Sequence, residues 1–173
     1  GAGSNVLCGG EGKDCIRGSS QSDSVTGGIG NDTMWGDNGS DFISGDDGED
    51  AICGGAGNDT MYGGIGSDCL TGGSGNDLIF GAAGIDTAFF IGTAAAIVNL
   101  ALTTAQNTGY GYDKLIEIEN VTTGGGSDTL TGDFRANLMC SGAGNDKLYG
   151  GAGNDSLHGG IGNDLMVGGT GVD

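Results

Sequence analysis

Residues 54 to 80, GGAGNDTMYGGIGSDCLTGGSGNDLIF, are three consecutive nonapeptides written in one pattern. Each opens on a glycine pair, places a third glycine fourth and an aspartate sixth, and puts an apolar residue eighth. A period of nine matches neither the roughly 3.6-residue turn of a helix nor the plain alternation of a hairpin. Outward from this stretch the frame runs without slip from Gly9 to Phe89. Its other units are GGEGKDCIR, GSSQSDSVT, GGIGNDTMW, GDNGSDFIS and GDDGEDAIC before it, and GAAGIDTAF after it. Residues 1–8, GAGSNVLC, are the tail of one more unit. The sixth place holds Asp14, Asp23, Asp32, Asp41, Asp50, Asp59, Asp68, Asp77 and Asp86, and the eighth runs from Ile16 to Ala88 and is always apolar.

From Phe90 to about Thr122 the frame is lost, and apolar runs such as AAAIVNLAL and DKLIEIENV replace it. The alternation of Leu115, Ile116, Ile118 and Val121 with polar neighbours predicts strands. Repeats resume with GGGSDTLT, GDFRANLMC, SGAGNDKLY, GGAGNDSLH, GGIGNDLMV and GGTGVD, whose sixth places are Asp128, Asn137, Asp146, Asp155, Asp164 and Asp173. The expected layout is a first repeat block over 1–89, a strand-rich joining insert over 90–122 that continues the same coil, and a second, truncated block over 123–173. Opening at Gly1 and closing in mid-unit, the chain is expected to be a fragment or processed segment.

Composition constrains the partners. The 173 residues include 42 glycines and no proline, and 23 acidic residues oppose five basic ones, for a formal charge of −18. Low hydrophobicity with charge of one sign predicts a chain that stays disordered until its carboxylates are neutralised. Nucleic acid is excluded as a partner, because phosphate binding needs clustered cations and Lys13, Arg17, Lys114, Arg135 and Lys147 are scattered. No apolar run approaches the roughly 20 residues of a membrane span, and no basic-plus-apolar leader is visible.

Glycines at the first, second and fourth places, with asparagine often fifth, permit left-handed backbone and close approach of carbonyls. Places one to six are therefore expected to turn, and places seven to nine to form a short strand with the eighth residue inward. Two units would close one flattened coil, and coils would stack at about 4.8 Å as two parallel sheets around a thin core. One medium aliphatic residue per nonapeptide is a poor core, so the turns need a ligand. Stacking sets Asp50, Asp68 and Asp86 in one column and Asp41, Asp59 and Asp77 in another, where bare carboxylates would repel. Carboxylates plus turn carbonyls form an adaptable all-oxygen cage, which suits Ca²⁺ better than the strictly octahedral Mg²⁺.

With these units, GGxGxDxUx (U a large apolar residue) resembles the RTX calcium-binding nonapeptide repeat, and the match covers almost the whole chain. IENVTTGGGSDTLTGDFRANLMCSGAGNDKLYGG resembles a joining cassette between RTX blocks. The resemblance implies an all-β fold, a right-handed parallel β-roll, with calcium held between successive same-side turns. It also implies type I secretion, folding on extracellular calcium, and a secreted or cell-surface location. Carried over unit by unit, it assigns carboxylate ligands to the fourteen sixth-place aspartates, Asp14 through Asp86 and Asp128, Asp146, Asp155, Asp164 and Asp173. Carbonyl ligands fall in the first four places, as at Gly54, Gly55, Ala56 and Gly57. First-place candidates are Gly27, Gly36, Gly45, Gly54, Gly63 and Gly72. Fourth-place candidates are Gly30, Gly39, Gly48, Gly57, Gly66, Gly75, Gly144, Gly153 and Gly162. About eight to ten Ca²⁺ ions are implied. GSSQSDSVT lacks two glycines, which weakens the site at Asp23, and GDFRANLMC carries Arg135 and Asn137, which predicts a weak or absent one.

Other residues have plainer readings. Asp37, Asp46 and Asp47 either tighten a site or are solvated surface charge. Cys8, Cys15, Cys53, Cys69 and Cys140 fall in outward places. Cys53 and Cys69 are offset along adjacent strands by roughly 8 Å, beyond disulfide reach, so free thiols are expected, with cross-links to a second chain, then metal or redox roles, as the alternatives. The ninth-place aromatics Trp35, Tyr62, Phe80, Phe89 and Tyr149 point outward, Tyr62 and Phe80 as stacked neighbours or as part of a sticky face. His158 is expected to be exposed with no partner in register. No nucleophile or base constellation appears, so catalysis is not expected. The function expected is a calcium-dependent structural module, a rigid acidic rod. The alternatives are a non-catalytic C-terminal portion of a secreted enzyme or toxin, and a filament or surface-layer subunit whose copies stack end to end or through outward cysteines and aromatics.

Overall fold

The computed structural model describes residues 3–173; the first two residues of the partial unit 1–8 lie outside the described residues. Among the described residues there is no helix, and nineteen short strands wind into a parallel β-solenoid of about nine turns, which fits the expected β-roll. Alternate strands of the first repeat block, Val6–Glu11, Ser24–Ile29, Phe42–Asp47, Thr60–Ile65 and Leu78–Ala83, form one face. Strands Cys15–Ser19, Thr33–Asn38, Ala51–Ala56, Cys69–Ser74 and Thr87–Phe90 form the other. Pairing is in register at a spacing of eighteen residues, as in Met61 with Ile79 and Ile52 with Leu70. Two nonapeptides therefore make one coil.

The strands are longer than the three residues the sequence predicts. Thr60–Ile65 contains places seven to nine of one unit and one to three of the next, so only places four to six turn. The pleat continues through the first-place glycine because that residue, like the eighth, faces inward: Met61 and Gly63 are both buried. A coil interior thus reads aspartate, apolar residue, glycine. The apolar members stack into a single ribbon, with Val25, Ile43, Met61 and Ile79 along one sheet and Met34, Ile52, Leu70 and Ala88 along the other, all buried.

The apolar stretch after Phe90 is threaded out of order. The chain first lays down Ile97–Asn99, the leading strand of a third sheet continued by Thr129–Thr131, Lys147–Ala152 and Leu165–Thr170. It then doubles back through Gln106–Asn107, antiparallel to Tyr112–Ile116, which extends the first sheet beyond Leu78–Ala83. Asn120–Thr123, Leu138–Cys140 and Ser156–His158 extend the second sheet without a break. The frame is not wholly lost here. Thr108–Ile116, TGYGYDKLI, is a nonapeptide with glycine second and fourth, Asp113 sixth and Leu115 eighth, and it pairs in the repeat register.

On the outer surfaces, Tyr62 stacks on Phe80 with centroids 5.5 Å apart, and Phe42 joins from the seventh place at 5.6 Å. All five cysteines are free, and Cys53 and Cys69 pair with Thr71 and Ala51 rather than each other. His158, exposed as expected, does have a register partner, Cys140, because eighteen residues separate them.

Candidate metal centre

The sixth-place aspartates from Asp23 to Asp86, and Asp128, Asp146 and Asp155, are buried. Asp59, Asp68 and Asp86 are at most 1 % exposed, their carboxylates turned into the end of the coil. They stack in the two columns that the eighteen-residue period dictates, and adjacent members are tied through the backbone. Asp41 N–H donates to Asp59 Oδ1 at 2.8 Å, and Asp59 N–H to Asp77 Oδ1 at 2.9 Å. In the other column Asp32, Asp50 and Asp68 donate to Asp50, Asp68 and Asp86 at 2.7 to 2.8 Å. One carboxylate oxygen of each residue therefore fastens its coil to the one before.

The second oxygen has no partner. Oδ2 of Asp14, Asp32, Asp41, Asp50, Asp59, Asp68, Asp77, Asp86, Asp146 and Asp155 is buried without any hydrogen bond. A buried, unpaired carboxylate oxygen is among the most unfavourable groups a fold can contain. Ten in the same structural position identify a place for a cation. Nine of them face the first-place glycine of their own unit, and Asp146 has Ser141 in that place. A Cβ built on Gly54 would run into Asp59 Oδ2 and lie 2.7 Å from the Gly72 carbonyl oxygen of the next coil, so the glycine leaves open a pocket that two oxygens face. Among the described residues no three of His, Cys, Asp or Glu converge. The donor set is thus one or two carboxylates with backbone carbonyls, hard oxygens in an irregular shell, and it fits Ca²⁺.

Electrostatics agree. Burial raises Asp41, Asp50 and Asp86 above the usual carboxylate range and pushes Asp59, Asp68 and Asp77 up to about 6, with neighbouring carboxylates adding to the rise. Asp23 behaves differently. Burial acts on it too, but hydrogen bonds from Asn5 and Ser19 outweigh burial and lower it.

Other predicted residues are placed as follows. Ser19 N–H and Oγ both donate to Asp23 Oδ2, at 2.7 and 3.1 Å. Asp128 Oδ2 accepts from Thr123 Oγ1 at 2.5 Å. Asp164 and Asp173, toward the other end, stand in the repeat geometry and accept from the Asp146 and Asp155 amides, but are more exposed. Asn137 accepts from Asp133 N–H at 2.8 Å and donates to the Glu119 carbonyl at 2.7 Å. First-place glycines line the pockets. The fourth-place glycines Gly30, Gly48, Gly57, Gly66, Gly75, Gly144, Gly153 and Gly162 sit against the fourth-place carbonyl of the coil before; Gly39 packs on Gln21 and Ser22. Third-place carbonyls are engaged elsewhere, since Ala56 O accepts from Gly39 N–H at 2.8 Å. Asp37 and Asp46 hold the second place at φ 73° and 70°, a conformation aspartate tolerates. Asp37 is paired, with both oxygens accepting from Arg17 at 2.7 and 2.8 Å.

Two residues of the columns escape the sequence. Asp113 Oδ1 accepts from Asp77 N–H at 2.9 Å, and its signal was TGYGYDKLI, masked by a first-place threonine and two tyrosines. Glu119 Oε2 accepts from Asp86 N–H at 3.0 Å across a shortened turn, which no nonapeptide frame marks.

Fold and pockets together define a class: a β-solenoid whose coil ends are built to hold calcium. The family model of the RTX calcium-binding nonapeptide repeat matches residues 1–25, 17–52, 26–61, 54–88 and 141–173, well over half of the chain, and the chain belongs to this family. RTX nonapeptide repeats bind Ca²⁺ at multiple sites, and the chain is a calcium-binding structural module. No catalytic family is indicated. A search of curated proteins finds no match. No helix among the described residues is long and apolar enough to cross a membrane.

Proposed function

We propose that the chain is the calcium-folded, rod-like part of a secreted or cell-surface protein, extended where calcium is scarce and wound into a solenoid outside the cell. The observation that carries this reading is the row of ten buried, unpartnered Oδ2 atoms. Asp Oδ1 positions the carboxylate against the neighbouring coil's amide, and Oδ2 with the first-place carbonyls faces the pocket that Gly54 and its equivalents leave open. When bound there, Ca²⁺ supplies the positive charge that converts a column of repelling carboxylates into a cohesive one. Without that charge the chain's −18 and its single-residue core rungs favour an extended state, which suits passage through a narrow export channel. With it, the continuous second sheet gives the module its stiffness.

Far-ultraviolet circular dichroism during a calcium titration, with magnesium as control, tests the reading. A cooperative gain of β signal with calcium but not magnesium is expected. A full β spectrum already present in chelator would overturn it.

A further inference from the structure

The ten unpartnered oxygens are not spread along the whole chain. They lie at eight of the nine aspartates from Asp14 to Asp86, all but Asp23, and at Asp146 and Asp155; at the coil ends between Phe90 and Asn137 no buried carboxylate oxygen is left unpartnered, and the one such buried oxygen there is the Tyr110 hydroxyl. In each of those coil ends the chain fills or closes the pocket with its own atoms.

Thr108 stands five residues before Asp113, and Thr123 five before Asp128, which is the first place of the unit, where the repeat has glycine. Thr108 Oγ1 donates to Asp113 Oδ2. Thr123 Oγ1 donates to Asp128 Oδ2 at 2.5 Å and also lies 3.0 Å from the Ser141 carbonyl oxygen. These partners are the counterparts of Asp59 Oδ2 and the Gly72 carbonyl, the two oxygens that face the open side of Gly54. A hydroxyl therefore occupies the place between carboxylate and carbonyl that a cation takes in the glycine units.

Two neighbouring coil ends reach the same outcome by other means. Phe90 is buried at the end of its strand, where the repeat has its inward first-place glycine, and its ring packs on Tyr110 at 5.9 Å. The turn that follows has Ala96 at the aspartate position, its N–H donating to Asp128 Oδ1 at 2.8 Å. At Asn137 a neutral amide replaces the carboxylate, held by Asp133 N–H and the Glu119 carbonyl. Hydroxyl, amide and phenyl groups thus satisfy or replace the carboxylate oxygen that elsewhere is left for the metal.

We infer that the coil ends from Phe90 to Asn137 are plugged by these side chains and bind no calcium, so that two calcium-dependent blocks are joined through a metal-independent spacer. Whether a donor reaches Oδ2 decides the matter: Ser141, first in its unit, turns its hydroxyl to the Gly159 carbonyl at 2.9 Å and leaves Asp146 Oδ2 unpartnered, whereas in the Gly18 unit Ser19 reaches Asp23 Oδ2 from the second place. Glycine leaves the carboxylate for a cation, whereas threonine satisfies it with a hydrogen bond that needs no metal. This inference rests on the calcium reading above.

Equilibrium dialysis of the full chain against radioactive calcium, at saturation, counts bound ions in the wild type and in D113N, D128N, D59N, D146N and the double variant T108G/T123G. D113N and D128N are expected to keep the wild-type count, D59N and D146N each to lose one ion, and T108G/T123G to gain up to two. A drop of one ion in D113N or D128N would overturn the inference, as would an unchanged count in a T108G/T123G protein whose circular dichroism shows it folded. Should the double variant fail to fold, the D113N and D128N counts decide alone. A wild type that binds no calcium would sink the calcium reading itself, an outcome distinct from either of these.

Discussion

Replacing Asp59 by asparagine separates the two tasks of the repeat carboxylate. Asparagine keeps an Oδ1 to accept from Asp41 N–H, the 2.8 Å bond that fastens one coil to the next, but exchanges the unpartnered Oδ2 for a neutral amide. In the metal-free coil, burial pushes the Asp59 carboxyl from 3.8 up to about 6. Holding it ionised above that pH costs on the order of 3 kcal/mol. Free calcium at about 100 times a site's Kd contributes about 2.7 kcal/mol, so one occupied site just offsets one such charge. Asp59→Asn should therefore act with opposite signs in the two conditions. At pH 7 in chelator the variant should retain more β signal than the wild type and resist urea better. In saturating calcium it should bind one ion fewer and unfold at lower urea. Circular dichroism with urea titration in both conditions measures this. A variant less stable than wild type in chelator as well as in calcium would refute the claim that Oδ2 is an unpaired buried charge awaiting a cation.

Glycine at the fourth place gives a steric prediction. Gly57 has φ 139° and a Cβ there would lie on the Gly39 carbonyl oxygen, whereas Gly10, at φ 111°, has nothing within 4 Å of its Cβ position. Gly57→Ala should open the turn and speed amide exchange in the coils on either side, while Gly10→Ala should cost only backbone strain of about 1–2 kcal/mol. Equal exchange in the two variants would contradict the stacking described. The pH response follows from Asp59, Asp68 and Asp77, whose folded, metal-free values of about 6 lie above their unfolded value near 3.8. Their contribution to metal-free stability is present below about pH 4 and is lost as the pH rises through about 6. In chelator, β signal should accordingly fall between pH 4 and 7, and calcium binding near pH 6 should release protons, both readable by circular dichroism and unbuffered titration.

Much of this was open to inspection in the sequence because the repeat is strict. A period of nine with one inward apolar residue gives coils of two units, and that alone places Met61 beside Ile79 and Asp59 beside Asp77. The carboxylates, the glycines that make room for them and the chain's −18 charge point to calcium without any coordinates. These features are legible because neighbours in a solenoid are fixed by a constant offset, so a local pattern determines the long-range contacts.

Tertiary structure decided what no constant offset encodes. It turned the aspartates inward, because the first-place glycine extends the strand and brings its open side against the carboxylate. It also threaded Ile97–Asn99 ahead of Tyr112–Ile116 and so revealed Thr108–Ile116 as a repeat unit. Which carboxylates remain unpartnered depends on whether a hydroxyl or amide reaches Oδ2. Thr123 and Gly54 occupy the same place in their units, and only their packed surroundings show that one donates the hydrogen bond the other leaves unmade.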